Sequence, residues 1–515
     1  MRRTTNNPGE NESGHPHQLC RTGVDHFGTA AMILLLAASL LLFFRLTTSG
    51  LLETRYLIIV MVALVIINAI HIVVQVPLRR SKLGKLVCGV LALILSAGLI
   101  WFTVNLEGAL SRISQIFDHQ LSEKRQIVVV VRTDDPALEL ADTAGYTFGY
   151  VSGWNAEDTT ALLQELHMQL GDFPERISST PSALVDDLLS SQTDAIILNS
   201  SALAQLEEMS EYADLGEKIR VLYTYSISQK VNILPGSAEI TEPFVVYCNG
   251  VDSRKSDINS AGNSDVNILA VVNPKSREIL LLNTPRDYYV PLHMNGKYDK
   301  LTHAGVYGIE ESIGTLADLY GVEIPYYIRL NFYGLVEVID AIGGVDVESP
   351  QEFTTKSMEI PGPDGRMEER SFTFPAGPVH LNGREALAFS RERYAFTSGD
   401  NQRGINQMIV IQGIIDKITT PAVLRNYQKV LDTLPDAFIS NIAFDQVKTL
   451  VRAQQKDSRA WHVTSYSVTG SAGSDYCYSW PSQKLYVTRQ DPDSVALAKT
   501  LIAQVMNGEV PVIPE

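Results

Sequence analysis

Residues 265–287, DVNILAVVNPKSREILLLNTPRD, decide the fold. Two short runs rich in branched apolar residues, VNILAVV and EILLLN, flank NPKSR, whose proline and polar residues signal a turn. That pattern predicts a β-hairpin of two buried strands. A third strand pattern, EPFVVYCNG (242–250), precedes it. Downstream the apolar period lengthens to that of helices. Gly308–Leu319 places Ile309, Ile313 and Leu316 on one face, and Phe332–Ile342 does the same with Phe332, Leu335, Val336 and Ile339 before stopping at Gly343-Gly344. A long helix is expected from about Gly404 to Thr419, with Ile405, Met408, Ile409, Ile411 and Ile415 facing inward. Residues 350–372, rich in Pro, Gly and charge, read as a loop. The tail after Ser465 adds the strand-like KLYVT and a helical run from Ser494 to Val505. Strands and helices so mixed predict an α/β (α+β) class, with helices covering a central β-sheet.

Upstream, QIVVVV, YTFGYVSG and DAIILN read as strands, while Ala156–Leu170 and Ser201–Tyr212 read as helices, which predicts a small α/β accessory domain over 107–226. Pro235, Gly236 and Pro243 mark a linker at 227–244, and the second outer domain occupies 245–515.

Ahead of both, residues 28–44, 57–74 and 86–106 are free of charge and nearly all apolar. Each is about as long as the ~20 residues that cross a hydrocarbon core, so 28–106 is expected to hold three transmembrane helices behind a tail at 1–27. Arg79, Arg80, Lys82 and Lys85 crowd the second connection, against Arg45 and Arg55 in the first. The basic excess puts the second connection and the amino terminus in the cytoplasm, and everything after about residue 107 outside a plasma membrane.

The whole chain has 515 residues, 45% hydrophobic and 19% charged, with a net charge of -16. That acidity argues against nucleic acid as a partner, because neutralising many phosphates needs a broad basic field. A local arginine cluster remains free to hold one phosphate group. Four cysteines exclude a disulfide-framed miniprotein; Cys248 and Cys477, the two expected outside, either pair or stay as free thiols.

The polar residues that stand out lie at the ends of apolar elements. Asp252 follows the first strand and Asp265 precedes the second. Two carboxylates at one sheet edge suit a hard cation such as Mg2+ with a substrate phosphate, although aspartates beside Gly, Ser and Asn also form turns. Arg286 follows Pro285 after the hairpin. In AFSRERYAF the alternation predicts an extended chain with Arg391, Arg393 and Phe389 on one face. Arg403 and Gln407 are one helical turn apart. Planar, always-charged guanidinium groups fit a diphosphate, and the competing reading of each is a surface ion pair.

These strings, with KLTHAGVYG, NFYGLVEVIDAIGGVDVE, FPAGPVHLNGREALAFSRERYAF and DNQRGINQMIVIQGI, run in order over about residues 245–420 and closely resemble the LytR-CpsA-Psr family of cell-wall enzymes. The membrane helices and accessory domain resemble its capsule-type members. The resemblance implies transfer of a glycopolymer, capsular or teichoic-acid-like, from an undecaprenyl-diphosphate carrier to peptidoglycan with formation of a phosphodiester. It implies Mg2+ or Mn2+ at Asp252 and Asp265. It also implies diphosphate contacts from Arg286, Lys300, Arg391, Arg393, Arg403 and Gln407, with Asp265, Arg286, Arg391 and Arg393 catalytic and Asp265 the candidate base. Expected partners are the lipid-linked polymer, peptidoglycan, the membrane and capsule-assembly proteins.

Two departures from the family pattern stand out. Asn406 replaces an arginine, a loss of about 1.5–3 kcal/mol if that side chain touches the ligand. Thr302-His303 replace Asn-Ala after Lys300, and His303 becomes a further base candidate. An apolar tunnel beside an arginine-rich mouth is expected for the prenyl chain. A non-catalytic prenyl-phosphate-binding regulator and a lipid-diphosphate hydrolase are the alternatives from other functional classes.

Overall fold

The computed structural model describes residues 16–49, 54–75, 82–118, 122–152, 156–207, 209–212, 214–231, 240–251, 258–259, 261–362, 366–425 and 437–514. Met1–Arg112 with Val451–Lys456 form one compact unit, and Ile113–Leu450 with Asp457–Glu515 a second.

The first unit carries α1 (Pro16–Ser49), α2 (Thr54–Gln75) and most of α3 (Lys82–Asp118). Within them His26–Thr48, Tyr56–Val73 and Leu83–Gly108 are long and apolar enough to cross a membrane, giving the chain its membrane anchor. Small and polar residues pack between the helices while most large aliphatic side chains face outward. Ala31, Ala38, Ala92 and Ser96 are buried, and Asn68 Nδ2 donates to Ser39 Oγ at 3.0 Å. Close approach at small residues and hydrogen bonds between polar side chains are how helices associate in lipid, where apolar burial gives no preference.

The second unit opens with β1 (Ser122–Arg132), β2 (Phe148–Val151), α4 (Ala156–Leu170), β3 (Glu175–Ser178), α5 (Pro181–Leu189), β4 (Ala195–Asn199), α6 (Ser200–Glu207), α7 (Leu215–Lys218) and β5 (Ile219–Lys230). They make a five-stranded sheet ordered β3-β2-β4-β1-β5. The core on one face of this sheet includes three residues from far along the chain, Cys477, Trp480 and Val487, packed with Leu184, Leu188 and Leu198. Cys477 and Cys248 are both free thiols, so of the two expected readings the structure takes the unpaired one.

β6 (Phe244–Val251), β7 (Ser264–Asn273) and β8 (Glu278–Asn283) follow, and the expected hairpin is there: Val272 pairs with Ile279 and Ile268 with Asn283. Next come β9 (Tyr289–Pro291), β10 (Tyr298–Lys300), α8 (Leu301–Ala304), α9 (Ile309–Tyr320), β11 (Tyr326–Leu330) and α10 (Phe332–Ala341). Short pairs follow, β12 (Val345–Ser349) with β17 (Gly377–Leu381), β13 (Phe353–Thr354) with β16 (Thr373–Phe374), and β14 (Met358–Pro361) with β15 (Met367–Arg370); of these β13, β14 and β15 fall within residues 350–372, the stretch expected as a loop. Then follow α11 (Gly383–Arg391), α12 (Asp400–Ile418), β18 (Phe438–Ser440), β19 (His462–Ser467), and the hairpin β20 (Gly470–Cys477) and β21 (Trp480–Gln490). A C-terminal helix, Pro492–Met506, closes the chain.

The second sheet is ordered β18-β11-β6-β7-β8-β19 and is buried on both faces. One face packs α9 and the C-terminal helix through Leu269, Leu282, Leu316 and Leu501; the other packs α12 through Ile268, Leu281 and Met408. Burial on both sides explains why β8 reads as an unbroken apolar run rather than an alternating one. Met408 is buried as expected on α12, whereas Ile405, expected to face inward, is 37% exposed. The inward stripe runs instead through Arg403, Gly404, Asn406 and Val410, because the helix start crosses a polar sheet edge before its middle meets the apolar face.

Candidate functional site

β6, β8 and β11 all end at one edge of the second sheet, where β7 begins. β6 runs parallel to β11 and antiparallel to β7, whose first residue Ser264 pairs with Val251. A cavity of about 310 Å³ opens beyond this edge, lined by side chains from those strand ends and from α10, α11 and α12. In open sheets such strand ends are the usual ligand site, because helices diverge there and leave a crevice.

Asp265, Arg286, Arg391, Arg393, Arg403 and Gln407 all line this cavity. Arg286 donates from one nitrogen to both Asp265 oxygens at 3.1 and 3.3 Å. Burial alone would push the Asp265 carboxyl up, but the Arg286 and Arg403 guanidinium groups and the Thr302 hydroxyl outweigh it and hold Asp265 below the ordinary carboxylate value. Arg403 sits in the first turn of α12 and pairs with Asp400 at 2.8 Å. Its height over the sheet is set by Gly404, where a Cβ would lie 2.3 Å from the Asn283 amide. Lys300 is not on the cavity wall; its Nζ binds Asp287 Oδ1 at 2.9 Å, beside Arg286. Asp252 lies outside the described residues.

The Arg391–Arg393 stretch is not extended. It is the last turn of α11 followed by a loop, and Phe389, expected beside the arginines, is fully buried against Phe353 and Phe374. The helix is started by a capping box, Asn382 with Glu385, a local signal in NGRE that outweighs the apparent alternation after it. Both arginines still reach the cavity because Glu392, fully buried between them, turns the chain. Its carboxylate accepts the backbone N–H groups of Lys356 (2.8 Å), Tyr394 (2.5 Å) and Ala395 (2.9 Å). Arg391 then stacks over Phe332 at 4.0 Å, and Arg393 donates to the Tyr394 hydroxyl at 2.8 Å.

Among the described residues, five cationic side chains (Arg286, Lys356, Arg391, Arg393, Arg403) and two anionic ones (Asp265, Glu392) line the cavity. A chain with net charge -16 thus presents a local positive excess at one mouth. Behind it the wall is apolar, with Val251, Val266, Leu330, Leu335, Leu387 and Ile411. Cys248 is on this wall too, and burial pushes its thiol up to about 12, so it is neutral and no nucleophile. Lys356 carried no signal in the sequence. It comes from the Pro/Gly-rich stretch and is brought in by Glu392.

The two departures acquire structural roles. Asn406 is fully buried and off the cavity wall; its Nδ2 donates to the Phe389 carbonyl at 3.2 Å and its Oδ1 accepts from Gln402 at 3.1 Å. It satisfies one of the carbonyls left open in the last turn of α11, so the expected loss of ligand affinity does not apply. His303 is buried too, with Nδ1 2.6 Å from Asp299 Oδ1 and 2.8 Å from Ser479 Oγ, away from the cavity. It ties β10 and α8 to the β20–β21 turn.

A family model described as the LytR_cpsA_psr family matches residues 203–491. Among curated proteins, the polyisoprenyl-teichoic acid–peptidoglycan teichoic acid transferase TagU of Enterococcus faecalis is 32% identical over 210 residues, 41% of this chain and 65% of that protein. The protein of the same name from Bacillus cereus is 35% identical over 208 residues, 40% of this chain and 63% of its own length. The chain therefore spans a little under two thirds of these relatives. A crystal structure of Bacillus subtilis TagV superposes with a TM-score of 0.43 at 24% identity, over 53% of this chain and 99% of that one.

Proposed function

The chain belongs to the LytR_cpsA_psr family, and from that premise we propose that it is a membrane-anchored phosphotransferase. It moves a capsular or teichoic-acid-like glycopolymer from an undecaprenyl-diphosphate carrier to peptidoglycan. The observation that carries this reading is one cavity with a guanidinium-rich mouth and an apolar wall, which suits a diphosphate joined to a prenyl chain.

In the proposed step an acceptor sugar hydroxyl attacks the phosphorus bonded to the polymer. The bridging P–O bond of the diphosphate breaks, and the prenyl phosphate leaves with the electron pair. Arg286, Arg391, Arg393 and Arg403 stabilise the charge that develops on the leaving phosphate, a contribution of positioning and electrostatics rather than covalent chemistry. The hydroxyl proton goes to Asp265. Glu392, the other carboxylate on the described wall, has its oxygens taken by three backbone N–H groups.

Mg2+ or Mn2+ is the cation this reading calls for: the Asp265 carboxyl on the cavity wall is held below the ordinary carboxylate value, and Asp252 follows Val251 in the sequence. Such a cation, held by Asp252 and Asp265, would neutralise charge on the diphosphate. The basic second connection supports a cytoplasmic amino terminus with the cavity-bearing unit outside, where the acceptor is. Capsule-assembly proteins fit as partners on the same reading.

The test is transfer itself. Full-length protein in nanodiscs, given lipid-linked polymer and peptidoglycan, forms a covalent polymer–wall adduct that the Arg391→Ala variant does not; undiminished transfer by that variant removes the arginine site.

A further inference from the structure

Outside the cavity, the junction of β9–β10 with β20–β21 gathers tyrosines that the proposed reaction does not use. Tyr289 and Tyr298 pack at 5.0 Å, the Tyr289 hydroxyl donates to the Tyr476 carbonyl at 2.7 Å, and Tyr478 N–H donates to the Tyr298 carbonyl at 3.0 Å. In the hairpin register Tyr476 pairs with Lys484 and Ser474 with Tyr486, so these four side chains share one face. The opposite face, with Cys477, Leu485 and Val487, is packed into the accessory core. Tyr298, Tyr476 and Tyr486 are 51%, 55% and 55% exposed.

We propose that the outward face of β20–β21, together with Tyr298 and Tyr478, binds the glycan strand of the acceptor; this rests on the transferase reading above. Three features select that occupant. The first is ring chemistry: the apolar C–H face of a pyranose stacks on an aromatic ring while its hydroxyls meet phenol, serine and threonine groups. The second is charge. Lys484 Nζ lies 5.6 Å from the Tyr476 ring centre and Lys297 Nζ 4.8 Å from that of Tyr478, which complements the carboxylates of a peptide-bearing glycan. The third is continuity with the cavity. Tyr486 and Thr488 alternate outward along β21, Thr488 N–H donates to the Asp287 carbonyl at 2.8 Å, and Asp287 holds Lys300 beside Arg286. From Lys484 to Thr488 the strand covers about 14 Å at about 3.4 Å per residue, so a polymer laid along it reaches Asp287, the residue next to the cavity-lining Arg286.

A membrane surface is the competing occupant, and the side chains disfavour it. Among the described residues from 470 to 490 every exposed large apolar side chain is a tyrosine, and Trp480 is fully buried. A face that inserts into lipid needs Leu, Phe or Trp.

The experiment compares full-length native protein with Tyr476→Ser/Tyr486→Ser and with Lys484→Glu, in detergent. Co-sedimentation with purified peptidoglycan sacculi, flotation with phosphatidylglycerol vesicles, and copurified prenyl phosphate are measured together. The double variant binds sacculi about tenfold more weakly, Lys484→Glu is also weakened, and lipid content and melting temperature stay native. Native sacculus binding by the double variant overturns the proposal, as does a loss confined to vesicle flotation. The two readings fail separately: sacculus binding that needs the tyrosines without any polymer transfer sinks the transferase and keeps the surface. Transfer that needs Arg391 but proceeds in the tyrosine variant with a native KM for acceptor sinks the surface and keeps the transferase.

Discussion

The Glu392 carboxylate accepts the Lys356 backbone N–H at 2.8 Å, fastening the β13–β14 connection to the loop that carries Arg391 and Arg393. One fully buried acid thereby sets the direction of three cations on the cavity wall. Replacing Glu392 with alanine strands the N–H groups of Lys356, Tyr394 and Ala395. The expected result is a stability loss of about 1–3 kcal/mol in all, since these hydrogen bonds are only partly buried, and a fall in copurified prenyl phosphate. Urea denaturation with lipid analysis checks both, and native lipid content in a folded Glu392→Ala protein contradicts the positioning role.

Asn406 gives a prediction opposite to the one its family position suggests. Asn406→Arg, the apparent restoration of a missing guanidinium, puts a charge into a fully buried site with no carboxylate hydrogen-bonded to Asn406. It should cost about 3–5 kcal/mol and not improve donor binding. A tighter donor interaction at unchanged melting temperature would falsify the structural assignment.

Glu123 of the first sheet binds Arg329 of the second at 2.6 Å, with both side chains buried, and Arg329 Nε donates to Asn249 on the cavity wall at 2.9 Å. Glu123→Gln leaves a buried guanidinium without its counter-charge, an expected loss of about 3–5 kcal/mol, whereas Glu123→Leu/Arg329→Met recovers much of it. Equilibrium denaturation of the three proteins decides this; equal cost in the single and double variants would deny the pairing.

Asp299 supplies a pH signature. Burial alone would raise its pKa, yet His303 and the Ser479 N–H and hydroxyl outweigh that and hold the carboxyl below its ordinary value. A folded pKa below the unfolded one contributes stability above the unfolded value of about 3.9 and loses it as pH falls through the folded value. Asp299→Asn should therefore cost about 1–3 kcal/mol at pH 7, and the gap to native protein should narrow below about pH 4. Denaturation at a series of pH values measures it; a pH-independent gap goes against the assignment.

Chelation tests the cation. Transfer should fall with EDTA and return with Mg2+ in native protein, while Asp265→Asn stays inactive at any Mg2+ concentration. Undiminished transfer in EDTA would remove the metal from the reaction.

The hairpin 264–283 and helices α9 and α10 were legible because each carries a continuous apolar signal of one period. Arg286, Arg403 and Gln407 were legible because they stand at the ends of such elements. Three features were not. The alternation in AFSRERYAF mimicked a strand, although the NGRE capping box before it carried the decisive information. Lys356 was invisible because its place depends on a hydrogen bond to a residue 36 positions away. Asn406 looked like a lost ligand contact because a family pattern records residue type and position but not the direction of the side chain.

Trp480, fully buried with Leu184, Leu188 and Leu198, is made long after the sheet it completes. On a chain delivered amino-end first, β1 to β5 can pair early, but one face of their core stays open until residues 477–487 arrive. The second unit thus has an order of assembly written into its connectivity, with residues 477–487 sealing the first-made sheet. Such high contact order slows folding and prolongs exposure of apolar surface. A stop codon between β5 and Trp480 therefore yields a product whose first sheet keeps one face of its core open.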